Sequence, residues 1–166
     1  MAIERITTPV GTLILISYKE KLVYCNWDHP QCEPKLKKAK LNIYPFSLSG
    51  GKDSQIISKV KEELNDYFAG RRTLFSICPD ITACTPFQRK VLRELLNIPY
   101  GETRTYKEIA ASIGNEKAVR AVAQACGANP IALIIPCHRV VGSNGNQGGY
   151  TGGIEKKSRL LELEKR

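Results

Sequence analysis

The sequence predicts an α/β protein of the α+β kind: a small N-terminal antiparallel sheet-plus-helix domain, then a helical C-terminal domain with a winged-helix-like helix-turn-helix. Three patterns predict it. Residues 3–27 alternate short β-branched runs with turn signals, residues 53–68 carry an apolar stripe at helical spacing, and residues 85–126 hold two helix-start signatures.

The opening segment reads as a β meander: Ile3 to Thr7, a Pro9-Val10-Gly11 turn, Thr12 to Ser17, a Lys19-Glu20-Lys21 turn, then Leu22 to Trp27. The polar connection that follows carries Lys35, Lys37, Lys38 and Lys40, read as solvated surface rather than a DNA contact. From Asp53 or Ser54 a helix sets Ile56, Ile57, Val60, Leu64, Tyr67 and Phe68 on one side and stops at Gly70, placed to cover the sheet. Cys25, His29 and Cys32 have no matching second pair at zinc-finger spacing, and Cys78 and Cys84 stand apart, so no metal site is expected.

The domain boundary is expected between residues 1–80 and 81–166. Thr85 reads as an N-cap, with Pro86 in the first turn and Gln88 completing a capping box. Phe87, Val91, Leu95 and Leu96 form that helix's expected core face. A second box, Thr105 with Glu108, opens a short helix through Ile113 that stops at Gly114, and another helix runs from about Glu116 to Cys126. Two short helices across a tight glycine turn are the layout of a helix-turn-helix. At 100° per residue, Val119, Val122, Ala123 and Cys126 fall on one side and Lys117, Arg120, Ala121, Gln124 and Ala128 on the other. The outer face pairs small alanines with one arginine. Either its backbone approaches another surface closely, or the alanines simply supply helix propensity.

Composition bounds the partners. Twenty-five Lys and Arg against sixteen Asp and Glu give a net charge of +9, which suits a polyanion such as nucleic acid, although excess charge also serves solubility. With no leader-like start and no apolar stretch near 18 residues, the six cysteines are expected reduced in a cytoplasmic, or in a eukaryote nuclear, compartment, with no membrane partner.

The apolar run Ile131-Ala132-Leu133-Ile134-Ile135 has the length and branching of a buried strand, and it ends in Pro136-Cys137-His138-Arg139-Val140. A thiol there has rigid support behind it and a glycine- and asparagine-rich loop, 142–153, ahead of it. A nucleophile fits this setting; a buried structural cysteine is the plainer reading, but it leaves the His-Arg pair unexplained. Adjacent residues of an extended backbone point to opposite sides, so a bridging water between Cys137 and His138 is expected rather than a direct bond. On the final helix Ile154, Leu160, Leu161 and Glu164 share a face, which puts one carboxylate on an apolar stripe close to a frayable terminus.

The pentapeptide resembles the active-site motif of the O6-alkylguanine-DNA alkyltransferases, the methylated-DNA–protein-cysteine methyltransferases. The resemblance runs in register through Thr85-Pro86-Phe87-Gln88, Tyr100-Gly101-Glu102-Thr103, Tyr106, Asn115, Ala118 to Val122, Asn129-Pro130, residues 148–153 and Leu160 to Glu164. That is about half the chain.

The resemblance implies direct repair of O6-alkylguanine in double-stranded DNA. Cys137 would take the alkyl group irreversibly, His138 would relay its proton through water, Glu164 would orient the histidine, and Asn129 would support the active-site backbone. It implies a recognition helix inserted in the minor groove, with Arg120 in the base stack, Tyr106 crowding the adjacent phosphate, and Thr105, Lys117, Ala121 and Gln124 at the DNA. Carbonyls of Cys137 and Val140 would read the guanine amino group, Tyr150 would donate to the ring and the Thr151 amide would meet O6. Cys126 is read as packing. No cofactor is expected, and the protein is expected to act as a monomer. Two rivals are a helix-turn-helix regulator with a sensor or structural thiol and a Cys-His hydrolase that turns over; neither accounts for the long in-register match.

Overall fold

The computed structural model describes residues 1–28 and 51–165. Lys35, Lys37, Lys38 and Lys40, with His29 and Cys32, lie outside the described residues. The chain divides into two compact units, Met1–Ala83 and Cys84–Arg166. Among the described residues no helix is long and apolar enough to cross a membrane.

The first unit is an antiparallel sheet of β1 (Ala2–Thr8), β2 (Gly11–Tyr18) and β3 (Lys21–Trp27), in that order, with α1 (Lys52–Phe68) against it. Both turns fall where the sequence puts them, Thr8 pairing with Gly11 and Tyr18 with Lys21. Lys19 and Glu20 have φ of 50° and 61°, the left-handed backbone of a type I′ hairpin turn. The Asp53 carboxylate supports that turn by accepting the Glu20 N–H at 2.8 Å. Leu13 to Ile16 of the central strand are all buried, so β2 reads as an unbroken apolar run instead of an alternation. Lys61 of α1 pairs with Glu4, which the register sets opposite Leu15, so the helix covers the Leu15 face and buries Ile57, Val60, Leu64 and Tyr67 there.

The second unit packs α2 (Pro86–Leu95), α3 (Tyr106–Ser112) and α4 (Val119–Gly127) against one another and ends in α5 (Ile154–Glu164). Both capping boxes form, Thr85 with Gln88 and Thr105 with Glu108. The stretch Glu116–Ala118 is a 3₁₀ turn that leads into α4. Two details of burial correct the sequence reading. Leu92, not Leu96, completes the core face of α2, since Leu96 is 45% exposed; and Ala125 joins Val122 and Cys126 in the core of α4 while Val119 and Ala123 sit at its margin. A two-residue parallel pair, β4 (Arg104–Thr105) with β5 (Val140–Val141), then joins the start of α3 to the segment after Cys137.

The run 131–135 is buried throughout but is not a strand. Leu133 has φ 71°, and the Ile134 N–H donates to the Ala132 carbonyl at 3.0 Å while the Ile135 N–H reaches back to Ile131 at 3.0 Å. The chain therefore doubles back within five residues, with an isolated bridge between Ala132 and Ile135. Periodicity cannot tell a buried strand from a buried turn when every side chain is apolar.

Leu133 allows a test of that geometry. In ordinary backbone, glycine is less stable than alanine by roughly 0.5–1 kcal/mol, but left-handed backbone costs a residue with a Cβ about 1–2 kcal/mol. Leu133→Ala and Leu133→Gly should both be destabilised by lost packing, with the glycine variant the more stable of the two in urea unfolding. The usual order, alanine above glycine, would mean that Leu133 is not left-handed.

Candidate active site

Cys137 opens a one-turn 3₁₀ helix, Cys137–Arg139, in which all three residues are buried. Pro136, at φ −81° and ψ 63°, sets up that turn, and the Cys137 N–H donates to the Ile135 carbonyl at 2.8 Å. This is an inverse γ-turn in which proline supplies the required φ and no N–H is wasted. Asn129 holds the other side: its Nδ2 donates to the Ile135 carbonyl at 2.9 Å and its Oδ1 accepts from the Ile131 N–H at 3.0 Å. Cys137 and His138 thus follow each other around a tight helical turn rather than along extended backbone, and their side chains diverge by about 120°.

His138 is fully buried, and its Nε2 lies 2.7 Å from Glu164 Oε1. Glu164 does not fray; it is 4% exposed and is the hub of the site. Arg139 grips it with a fork, Nε to Oε2 at 2.8 Å and Nη2 to Oε1 at 2.9 Å, and spends Nη1 on the Ile98 carbonyl at 2.7 Å. The Gly101 N–H donates to Oε2 at 3.3 Å. Gly101 also needs to be glycine, because its φ is 79° and a Cβ would lie 2.8 Å from the Glu164 carbonyl oxygen. A carboxylate held by a guanidinium fork is an acceptor only. Nε2 of His138 must therefore carry the proton, and Nδ1, buried with no hydrogen-bond partner among the described residues, presents its lone pair. Burial pushes the His138 pKa below its ordinary value of 6.5, against the pull of Glu164, and Arg139 and Lys157 push the same way.

The loop after Cys137 is strapped down. Lys157 of α5 is fully buried and donates to the Val140 carbonyl at 2.5 Å and to the Gln147 carbonyl, while Ser158 Oγ donates to Gln147 Oε1 at 2.8 Å. Gly148 then passes over the Tyr106 ring, where a Cβ would come within 3.0 Å, and the Tyr106 hydroxyl reaches the Gly149 carbonyl at 3.5 Å. Burial, aided by Cys126 and Cys137, raises the Tyr106 pKa to about 12, so the phenol is neutral. Thr151 Oγ1 ties the loop to the end of α4 through the Gly127 carbonyl at 2.8 Å, and Tyr150 is half-buried. Cys126 is buried, and burial raises its pKa to about 12.

The expected site residues therefore fall into two groups. Cys137, His138, Glu164, Asn129, Val140, Tyr106, Tyr150 and Thr151 surround one turn and one loop. Lys117, Arg120 and Gln124 are exposed on the outer side of the second helix-turn-helix segment with Ala121 half-buried among them, and Thr105 is occupied by its own capping box. Sequence reasoning gave no role to Arg139 or Lys157. Arg139 stood in the motif itself, and Lys157 interrupts the stripe of the last helix three residues before Leu160 and seven before Glu164. Ile154, placed on that stripe, is instead 58% exposed.

Residues 86–166 match the family model described as 6-O-methylguanine DNA methyltransferase, DNA binding domain, and residues 1–80 match its ribonuclease-like domain. The chain is 44% identical over 160 residues to the methylated-DNA–protein-cysteine methyltransferase of Mycobacterium tuberculosis, covering 96% of this chain and 90% of that one. A probable methylated-DNA–protein-cysteine methyltransferase of Acanthamoeba polyphaga mimivirus is 57% identical over 117 residues, 69% of this chain and 78% of the relative. Among solved structures, Mycobacterium tuberculosis OGT in complex with DNA superposes with a TM-score of 0.85 at 39% identity, over 99% of this chain and 93% of that one. An O6-methylguanine DNA methyltransferase from Methanococcus jannaschii gives 0.67 at 28% identity, over 98% and 93%.

Two outcomes follow from the buried carboxylate and imidazole. Glu164→Gln strands the Arg139 charge in a dry setting and should cost about 3–5 kcal/mol in denaturant unfolding; a loss below 1 kcal/mol would mean the fork is not formed. Because the folded pKa of His138 lies below 6.5, the unfolded chain binds the extra proton first as pH falls. His138 therefore costs stability progressively below about pH 6.5 and costs none above it. His138→Gln should flatten the acid limb of a stability–pH curve in that range.

Proposed function

The chain belongs to the 6-O-methylguanine DNA methyltransferase family, and with that as premise we propose that Cys137 is its alkyl acceptor and the buried turn its active site. The protein repairs O6-alkylguanine in DNA directly, as a methylated-DNA–protein-cysteine S-methyltransferase whose acceptor is used once. DNA is its partner, consistent with the DNA complex of the mycobacterial homologue. The observation that carries the assignment is the buried chain from Arg139 through Glu164 to His138, which leaves one unengaged imidazole nitrogen on the residue that follows the Cys137 thiol in the same buried turn.

The step is a displacement at carbon. His138 Nδ1, through a water, takes the Cys137 proton; sulfur attacks the alkyl carbon; the S–C bond forms as the C–O6 bond breaks, and its electron pair stays on guanine, which recovers the proton. Neutral imidazole is the form that can act: burial first, and then the charges of Arg139 and Lys157, favour it against the pull of Glu164, whose part is to hold the proton on Nε2. Asn129 fixes the backbone that aims the thiol. Val140 and Cys137 carbonyls, Tyr150 and the Thr151 amide would line the guanine, with selectivity for alkyl size set by the loop that Thr151 anchors.

Extruding the base costs a few kcal/mol. The exposed Arg120, flanked by the small Ala121 and by Lys117 and Gln124, is suited to a narrow groove, and we assign this face to the minor groove, with Arg120 filling the vacated stack and Tyr106 and Thr105 beside the phosphate. A single chain holds every residue of this scheme, consistent with action as a monomer. The same chemistry requires a reduced thiol, and hence a cytoplasmic or nuclear setting.

Mass spectrometry after mixing with duplex DNA that carries one O6-methylguanine should show one added methyl on the Cys137 peptide, saturating at one per molecule. Cys137→Ser should still bind this DNA and gain no methyl; a methylated serine variant would sink the assignment. Arg120→Ala should slow repair in duplex about 10- to 100-fold, equivalent to roughly 1.4–2.7 kcal/mol, and leave reaction with free O6-benzylguanine near normal. Equal losses on both substrates would rule out a wedge.

A further inference from the structure

Three charged side chains are buried among the described residues of the second unit: Arg139, Glu164 and Lys157. The first two neutralise each other. Lys157 does not share in that pairing; its ammonium meets the neutral carbonyls of Val140 and Gln147 and lies 6.0 Å from the centre of the Tyr106 ring, with no carboxylate in ion-pair range among the described residues. With His138 neutral, the buried set therefore carries one positive charge in excess. An uncompensated buried ammonium is costly and ordinarily either loses its proton or acquires an anion.

The position of Lys157 says where that anion forms. Val140, whose carbonyl it grips, is also the residue whose N–H closes the 3₁₀ turn onto the Cys137 carbonyl, so the ammonium and the thiol sit at the two ends of one turn. We propose that Lys157 is the counter-cation of a Cys137 thiolate, a positioning residue that holds the acceptor ionised while it straps the loop over it. This rests on Cys137 being the acceptor. The other groups facing the thiol leave this task to Lys157. Tyr106 from α3 and Cys126 from α4 are neutral at physiological pH, each with a pKa raised to about 12. Glu164 has the wrong sign, and Arg139 is consumed by Glu164. Burial works against the charge on Lys157, and charge on the two thiols works for it.

No electron leaves the protein in this step. The thiol proton leaves to solvent by way of the His138 water relay, so His138 ends neutral; the sulfur keeps its electron pair until it attacks carbon, and the resulting thioether is neutral. Lys157 is compensated before transfer and uncompensated after it.

The test needs no DNA, so it separates from the repair reaction: if the pairing is found but no methyl is transferred from lesion DNA, the repair assignment fails and the ion pair stands. The rate of carbamidomethylation of the Cys137 peptide by iodoacetamide is measured from pH 5 to 10 on the intact protein. Wild type should show a midpoint below the ordinary thiol value of about 8.5. Lys157→Met should move it up by about one unit or more, so that labelling at a pH below both midpoints slows by about tenfold per unit, and Lys157→Arg should restore most of it. Ser158→Ala, which loosens the same loop through Gln147 without removing charge, should leave the midpoint in place. A wild-type midpoint at 8.5 or above overturns the proposal even if Lys157→Met does not fold. An unmoved midpoint in folded Lys157→Met, or an equal shift in Ser158→Ala, overturns it as well.

Discussion

The Glu164 carboxylate is the point through which the second unit is tied together. It takes two bonds from Arg139, one from His138 and one from Gly101, and so fastens the end of α5, the turn of the motif and the Tyr100-Gly101 bend to one another. Tyr100 reinforces the joint, its hydroxyl donating to the Leu163 carbonyl at 3.3 Å and its ring lying 5.7 Å from the Arg139 guanidinium. Buried ion pairs are often no better for stability than packed hydrocarbon. The return here is definition: the carboxylate fixes which imidazole nitrogen bears the proton, and helix, bend and turn must all be in place for it to do so.

The thiol is presented by irregular backbone, and that backbone is over-determined. Leu133 is left-handed, Pro136 makes an inverse γ-turn, and Asn129 bridges the loop from within. On the far side β5 pairs with β4, whose last residue is the cap of α3. The helix-turn-helix that is assigned to DNA and the turn that is assigned to chemistry therefore share a hydrogen-bonded seam, and neither can shift far without the other.

Legibility in the sequence followed physical type. Short hairpins and both capping boxes were readable because local chemistry specifies them: Thr with Gln or Glu at the right spacing, and turn residues between β-branched runs. The segment 131–135 was not, because uniform apolarity announces burial without announcing backbone. Lys157 and Arg139 escaped notice for a related reason. A lysine on a mostly polar helix looks like surface, and its burial is decided by Val140 and Gln147, residues contributed by another part of the chain. Glu164 was legible only through resemblance, since near a chain end an exposed carboxylate is the normal outcome.

Every side chain of the buried network comes from Cys84–Arg166, so the two halves of the gene are under different kinds of selection. A change in the sheet or in α1 touches none of these side chains, and its effect on how many molecules are folded at a given moment is a quantity that tolerates drift until a threshold is crossed. A change in the second half alters what each molecule can do. For a protein that is spent in a single reaction, copy number and capacity are the same quantity, and substitutions far from the thiol set how much damage a cell can absorb before it must synthesise more.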